Sequence, residues 1–171
     1  MKEPWRAAIL TVSDTRSQHL RADTATPLIR RVLEEAGFTV SDTALVPDEL
    51  PRIQEQLIAF ADRLQLPLVI TTGGTGFGPR DVTPEATRGV IERETPGLPE
   101  AMRVSTARHN PLAWLSRATA GLRGRTLILN LPGHPQGAEE CLRAVLPLLP
   151  HALAMITGTT HGHPDSLAAH S

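Results

Sequence analysis

Three short runs of unbroken apolarity constrain this chain more than any other feature: residues 7–12 (Ala-Ala-Ile-Leu-Thr-Val), 67–71 (Pro-Leu-Val-Ile-Thr) and 126–131 (Thr-Leu-Ile-Leu-Asn-Leu). A strand wetted on one face alternates apolar and polar residues, whereas a strand covered on both faces does not. These runs therefore read as central strands of a parallel sheet. Residues 38–46 alternate and read as a fourth strand nearer an edge. Parallel neighbours cannot be joined by a hairpin, so helices must lie between them. Leu28, Ile29, Val32, Leu33 and Ala36 make one apolar helical face, with Gly37 as its C-cap. Ile53, Leu57, Phe60, Ala61 and Leu64 make a second face. Thr83 reads as a hydroxyl N-cap, followed by Pro84 at the first helical position and Glu85 in the first turn. Cys141, Leu142, Val145, Leu149, Ala152, Leu153 and Ile156 form the last face, which Pro147 and Pro150 should kink or divide. Right-handed crossovers between such elements give the α/β class. The expected architecture is a single three-layer α/β/α doubly wound domain with a mostly parallel sheet, spanning residues 1–158. A flexible polar tail over 159–171 is expected to follow.

Composition narrows the function. The 171 residues are 40% apolar and 20% charged, which suits one ordinary globular domain. Seventeen basic and eighteen acidic residues leave a net charge of −1, and aromatic residues are only 3% with no tyrosine. Neither a basic footprint nor a stacking surface is present, so no nucleic-acid partner is expected. The single cysteine, Cys141, excludes an internal disulfide and reads as a core residue, and no Cys/His spacing suits zinc. The N-terminus lacks an apolar signal core and no stretch approaches membrane-span length, so a cytoplasmic location with no membrane partner is expected.

Ligands of an open parallel sheet collect beyond the carboxyl ends of its strands. Here each such end carries a polar turn. Ser13-Asp14-Thr15-Arg16-Ser17 follows the first run, and Pro47-Asp48-Glu49 follows the edge strand. The third run leads into a glycine-rich segment ending at Arg80 and Asp81, and the last leads into Asn130-Leu131-Pro132-Gly133. Gly73, Gly74, Thr75 and Gly76 can point several backbone N–H groups into one concavity, which favours an anion such as phosphate. The spacing matches neither the dinucleotide-binding fingerprint nor a Walker loop. Arg80 can neutralise phosphate oxygens, and Asp81 supplies the hard oxygen that Mg²⁺ prefers. Asp48 can join Asp81 on a metal, and equally reads as the N-cap of the helix after it. Ser116 and Arg117 offer a hydroxyl and a guanidinium to a terminal phosphate, although alone they read as a solvated loop. Ser116 has no base at useful spacing and so no claim as a covalent nucleophile. His134 reads as a loop residue, and His161 and His163 as tail residues.

The run of residues 72–87, Thr-Gly-Gly-Thr-Gly-Phe-Gly-Pro-Arg-Asp-Val-Thr-Pro-Glu-Ala-Thr, strongly resembles the molybdopterin adenylyltransferases, a family that includes the N-terminal domain of gephyrin. The resemblance continues through residues 90–98, 101–103, 115–118, 120–121 and 124–133, with 9–15 and 46–49 fitting as well. It implies a doubly wound domain that assembles as a homotrimer. It also implies Mg²⁺-dependent transfer of AMP from ATP to the terminal phosphate of molybdopterin, releasing pyrophosphate and supplying a molybdate-insertion enzyme downstream. The family's two essential aspartates fall on Asp48 and Asp81, as metal-holding and catalytic residues. Its nucleotide or pterin contacts fall on Ser13, Asp14, Gly73, Gly74, Thr75 and Gly76, with Arg80 adding positive charge. Its serine near the substrate phosphate falls on Ser116, and the turn with Asn130, Pro132 and Gly133 closes the same pocket. Two departures stand out. Residues 21–27 lack a glycine that many relatives carry there, which leaves Asp23 without an assigned role, and Gly78 stands where relatives often have Thr or Ala. A non-catalytic molybdopterin-binding scaffold is the alternative from another class, against which the Asp48/Asp81 pair argues. The related domain of molybdate-insertion enzymes sits in longer chains, and a nucleotide-cleaving relative from the competence-damage-inducible family fits residues 77–84 less well.

Overall fold

In the computed structural model, which describes residues 3–159, the four expected strands form and lie parallel. They are β1 (Arg6–Val12), β2 (Thr39–Val46), β3 (Leu68–Thr72) and, last in the chain, β6 (Thr126–Leu131). Two further strands, β4 (Arg93–Glu94) and β5 (Ala120–Arg123), extend the sheet antiparallel to the order β2-β1-β3-β6-β5-β4. The sequence pattern does not reveal these two. They have two and four residues, too few for any period, and β5 forms because a two-residue turn folds it back on β6. Gly124, at φ +53°, supplies the left-handed first position of that turn.

The absence of alternation in the central strands has the expected cause. Ile9, Ile70 and Leu129 point into one core, while Leu10, Val69 and Ile128 point into the other. The helices complete three layers: α1 (Asp14–Ser17), α2 (Ala25–Glu35), α3 (Leu50–Ile58), α4 (Thr83–Arg88), α5 (Gly97–Ala107), α6 (Pro135–Val145) and α7 (Leu149–Thr157). One core is covered by α2, α6 and α7 through Ile29, Leu33, Leu142 and Leu153, and the other by α3 and α4 through Ile53, Leu57 and Ala86. Gly37 closes α2 in a Schellman motif at φ +84°, with Gly37 N–H on Glu34 O and Phe38 N–H on Leu33 O, both at 3.0 Å. Ala36 is exposed as the cap itself. Leu64 leaves the expected face because a π-turn over Ala59–Arg63 shifts the helical phase, and it is 43% exposed.

The prolines divide the last helix as expected: α6 stops at Val145, a 3₁₀ turn covers Leu146–Leu148, and α7 begins at Leu149. Taken together, Pro135–Thr157 is long and apolar enough by composition to cross a bilayer, at 23 residues and a mean hydropathy of 1.2. Sequence reading expected no such stretch. Its apolar side, with Cys141, Leu142, Val145 and Leu149, is packed into the core. The expected tail residues His161 and His163 lie outside the described residues.

One topological point positions the site. β1 lies between β2 and β3, and the chain leaves β1 toward α2 on one face but leaves β3 toward α4 on the other. The loops diverge there and open a crevice beyond the strand ends.

Candidate active site

The glycine loop after β3 is shaped by close backbone approach. Gly73 (φ +103°) donates its N–H to Leu131 O at 3.1 Å, and a Cβ on it would sit 2.2 Å from Val12 O. Gly74 (φ +66°) receives Thr83 N–H at 3.1 Å, and a Cβ there would lie 2.3 Å from Thr83 Oγ1 and 3.0 Å from Asp48 Oδ1. The N–H groups of Gly74, Thr75 and Gly76 donate to no acceptor among the described residues. All three residues line the cleft, where the sequence reading expects a concavity of donors. The loop is held from outside by Arg117. Its backbone N–H meets Thr75 O at 2.9 Å, its Nε meets Gly76 O at 2.7 Å, and its Nη2 meets Asp81 O at 2.6 Å. Its guanidinium also pairs with Glu85 of α4 and holds that carboxyl below its ordinary range. Arg117 is thus a clamp on the loop, with its guanidinium engaged by Gly76 O, Asp81 O and Glu85.

The carboxylates follow a different pattern from the one expected. Asp48 is not a helix cap, because α3 starts at Leu50 with Glu49 in the cap position. Instead Asp48 Oδ2 accepts from Asp14 N–H at 2.8 Å, and Asp48 N–H donates to Asp14 Oδ1 at 2.9 Å. This reciprocal pair ties the ends of β1 and β2 together. Arg80, expected to meet phosphate, forks onto Asp14 with Nε and Nη2 each at 3.0 Å. That contact holds the Asp14 carboxyl below its usual range. Asp14 and Arg80 therefore brace the rim and line neither lobe of the cleft. Burial pushes the Asp48 carboxyl up, and the negative charges of Asp14 and Asp81 push the same way. Asp81 Oδ2 accepts the Gly78 N–H at 2.8 Å. A Cβ on Gly78 would stand 2.8 Å from that oxygen, so the glycine leaves room for the carboxylate.

Thr83 also departs from expectation. Val82 occupies the cap of α4, Thr83 is fully buried, and its Oγ1 has no hydrogen-bond partner. The carboxylates of Asp48 and Asp81 line one cavity, and two such hard oxygen donors suit Mg²⁺. Among the described residues no group of three or more His, Cys, Asp or Glu is placed to hold a metal ion.

Two lobes make up the cleft. The smaller, about 300 Å³, is lined by Ser13, Arg16, Arg21, Asp48 and Gly73. The larger, about 590 Å³, is lined by Thr75, Gly76, Met102, Leu112, Ser116 and Pro132. Gly74, Asp81, Gly133 and His134 line both, so the lobes meet at the glycine loop. Gly133 closes on that loop, where a Cβ would lie 3.2 Å from Gly73 Cα.

Asn130 does not reach either lobe. It is fully buried, its amide donates to Thr71 Oγ1 at 2.9 Å and Thr87 Oγ1 at 3.0 Å, and its carbonyl receives Thr119 N–H at 3.2 Å. It ties β6 to β3 and α4 beneath the site. Asn130→Ala should cost about 2–4 kcal/mol by opening a hole and orphaning a buried N–H. Urea unfolding of the variant checks this. Asp23, just before the Thr24 cap position, gains a role as well, accepting Thr26 N–H of the first turn of α2 at 3.1 Å and the Thr11 hydroxyl of β1 at 3.2 Å. Cys141 is buried as expected, and desolvation pushes its thiol up to about 11.

Sequence reasoning missed Arg16, Arg21 and the apolar wall from α5. Arg16 stood in a segment already singled out, but nothing local marks an arginine as buried.

The family described as "Probable molybdopterin binding domain" matches residues 8–151. The molybdopterin adenylyltransferase of Helicobacter pylori strain J99 is 41% identical over 152 residues, which cover 88% of this chain and 86% of that protein. The molybdenum cofactor synthesis protein cinnamon of Drosophila melanogaster is 43% identical over 152 residues, but this chain spans only 25% of its length. Among solved structures, the molybdopterin biosynthesis enzyme MoaB of Thermus thermophilus superposes with a TM-score of 0.87 at 56% identity, covering 90% of this chain and 97% of that one.

Proposed function

The chain belongs to the molybdopterin-binding domain family, and on that premise we propose that it is a molybdopterin adenylyltransferase of molybdenum cofactor biosynthesis. In the reaction, an oxygen of the terminal phosphate of molybdopterin attacks the α-phosphorus of ATP. The bond from that phosphorus to the β-phosphate bridging oxygen breaks, and pyrophosphate departs with the electron pair. The observation that carries this reading is the shared wall of the cleft: Gly74 and Asp81 border both lobes, so substrates entering from either side meet at the same donors.

The substrate phosphate is itself the nucleophile, so the chain's own work is alignment and charge neutralisation. Ser116 lines the larger lobe, which supports a role for its hydroxyl in holding the incoming phosphate. The unpartnered N–H groups of Gly74, Thr75 and Gly76 receive charge that builds at the α-phosphate. Asp48 and Asp81 would hold Mg²⁺, which supplies neutralisation of phosphate charge when bound. Arg117, Arg80 and Asp14 keep the loop and the carboxylates in register. In the same reading the protein works in the cytoplasm as a homotrimer and passes its product to a molybdate-insertion enzyme.

The test is anaerobic incubation of the purified protein with molybdopterin and Mg-ATP, followed by mass detection of the adenylylated product. Product formation is expected. Molybdopterin binding without product would make the chain a carrier or scaffold instead.

A further inference from the structure

Arg16 is the one charged side chain among the described residues that is more than nine-tenths buried, at 7% exposure. Its backbone position is fixed by the turn after β1, where its N–H meets Ser13 Oγ at 3.3 Å. Its guanidinium makes one long contact, from Nη2 to Gly133 O at 3.4 Å. No carboxylate among the described residues comes within the 4.0 Å of an ion pair. Other arginines of this fold behave differently. Arg80 forks onto Asp14, Arg117 holds two carbonyls and Glu85, and Arg123 grips both oxygens of Asp62. A permanently charged group almost wholly removed from solvent with no ion-pair partner is unfavourable, and such an arrangement persists where an anion completes it. The cavity that Arg16 lines is the smaller lobe, where Arg21 adds a second cation and Asp48 and Asp81 face the same space.

We propose that Arg16 binds the pyrophosphate portion of ATP, its planar fork taking the β- and γ-phosphate oxygens and carrying the charge that builds on the leaving group. This rests on the adenylyl-transfer reading and adds the direction of the displacement. In an in-line reaction the nucleophile and the leaving group stand on opposite sides of the α-phosphorus. That atom is placed at Gly74 and Asp81, where the lobes meet. The larger lobe, with Met102, Leu112 and Ser116, offers apolar wall for a ring system and a hydroxyl for its phosphate. A nucleophile arriving from that side expels pyrophosphate into the smaller lobe, where Arg16 stands without an ion-pair partner. The new bond forms from the pterin phosphate oxygen to the α-phosphorus, and the electron pair of the broken bond stays on the pyrophosphate oxygen. No proton need move for the balance to hold.

The test uses Arg16→Met, which keeps most of the volume and removes the charge, beside Arg16→Lys, which keeps the charge without the fork. Titration calorimetry in Mg²⁺ buffer would measure binding of inorganic pyrophosphate, AMP and phenyl phosphate, with thermal unfolding of each variant. Arg16→Met should weaken pyrophosphate by about tenfold or more, with AMP and phenyl phosphate changed by less than about threefold. Arg16→Lys should fall between Arg16→Met and the parent. The melting temperature of Arg16→Met should be unchanged or raised, because an unpaired buried charge is removed. A purely structural arginine would give the reverse, with lower stability and unchanged pyrophosphate affinity. The proposal is overturned if the parent binds no pyrophosphate, if Arg16→Met binds it equally well, or if only AMP or phenyl phosphate is lost. Should Arg16→Met fail to fold, a Lys variant with parental pyrophosphate affinity overturns the fork, and a weakened one supports it. Parent protein that forms adenylylated product while Arg16→Met keeps pyrophosphate affinity defeats this inference alone. Absence of product with an Arg16-dependent pyrophosphate site defeats the adenylyl-transfer reading and leaves a polyphosphate site standing.

Discussion

Asp81→Asn should fold like the parent and lose most of its turnover. The carboxylate stands on the wall common to both lobes, and its one described hydrogen bond, from Gly78 N–H at 2.8 Å, can be kept by an amide oxygen. Shape is preserved while a negative charge is removed from the oxygen donor set shared with Asp48. Loss of that charge from a metal-assisted phosphoryl transfer removes several kcal/mol of transition-state stabilisation, so kcat/KM should fall by about 10²–10³. The melting temperature should move by no more than about 2 °C. Steady-state kinetics with varied Mg²⁺, run beside scanning calorimetry, read both effects. Normal turnover in a well-folded Asp81→Asn protein would remove the metal from Asp81.

The second large effect is expected at Gly74. An alanine there must adopt φ +66° and place its Cβ 2.3 Å from the buried Thr83 hydroxyl and 3.0 Å from Asp48 Oδ1. Left-handed strain of about 1–3 kcal/mol adds to an overpacking cost of similar size. A fall in melting temperature of roughly 5–15 °C follows for a domain of this length. Ligand binding should be lost with it, because relief requires the glycine loop or Asp48 to move. Gly37→Ala is the control. Its φ is +84°, yet nothing lies within 4 Å of the added Cβ. Strain alone then costs about 1 kcal/mol, and ligand affinity should not change. Equal destabilisation of the two variants would mean that the close packing around Gly74 contributes little.

Much of the fold is legible from short stretches of chain. The central strands announced themselves because covering both faces removes the need for polar residues. Gly37 and the Pro147/Pro150 pair marked helix ends, since both act through backbone geometry within a few residues. Thr83 looked equally plain as a cap, but the chain turned one residue earlier and left its hydroxyl buried and unpaired. The strands β4 and β5 were hidden because they are too short for a period and depend on pairing with each other and with β6.

The site divides along the same physical line. Local glycine chemistry marked the loop at Gly73–Gly76, and the strand-end rule put Ser13, Asp48 and Asp81 around it. The three arginines could not be sorted by local pattern. Arg80 turned to Asp14, 66 residues away, and Arg117 to Glu85, 32 residues away, while Arg16 was left with a single long contact to Gly133, 117 residues away. Asn130, in a turn expected to close the pocket, was drawn into the core by Thr71, Thr87 and Thr119. The sequence by itself determined the layers, the sheet's central strands and the rim where ligands gather, because periodicity and backbone restriction act over a few residues. Only the tertiary structure decided which charged groups are braced and which face the cleft. A long side chain takes its partner from whatever distant loop the packed sheet sets opposite it.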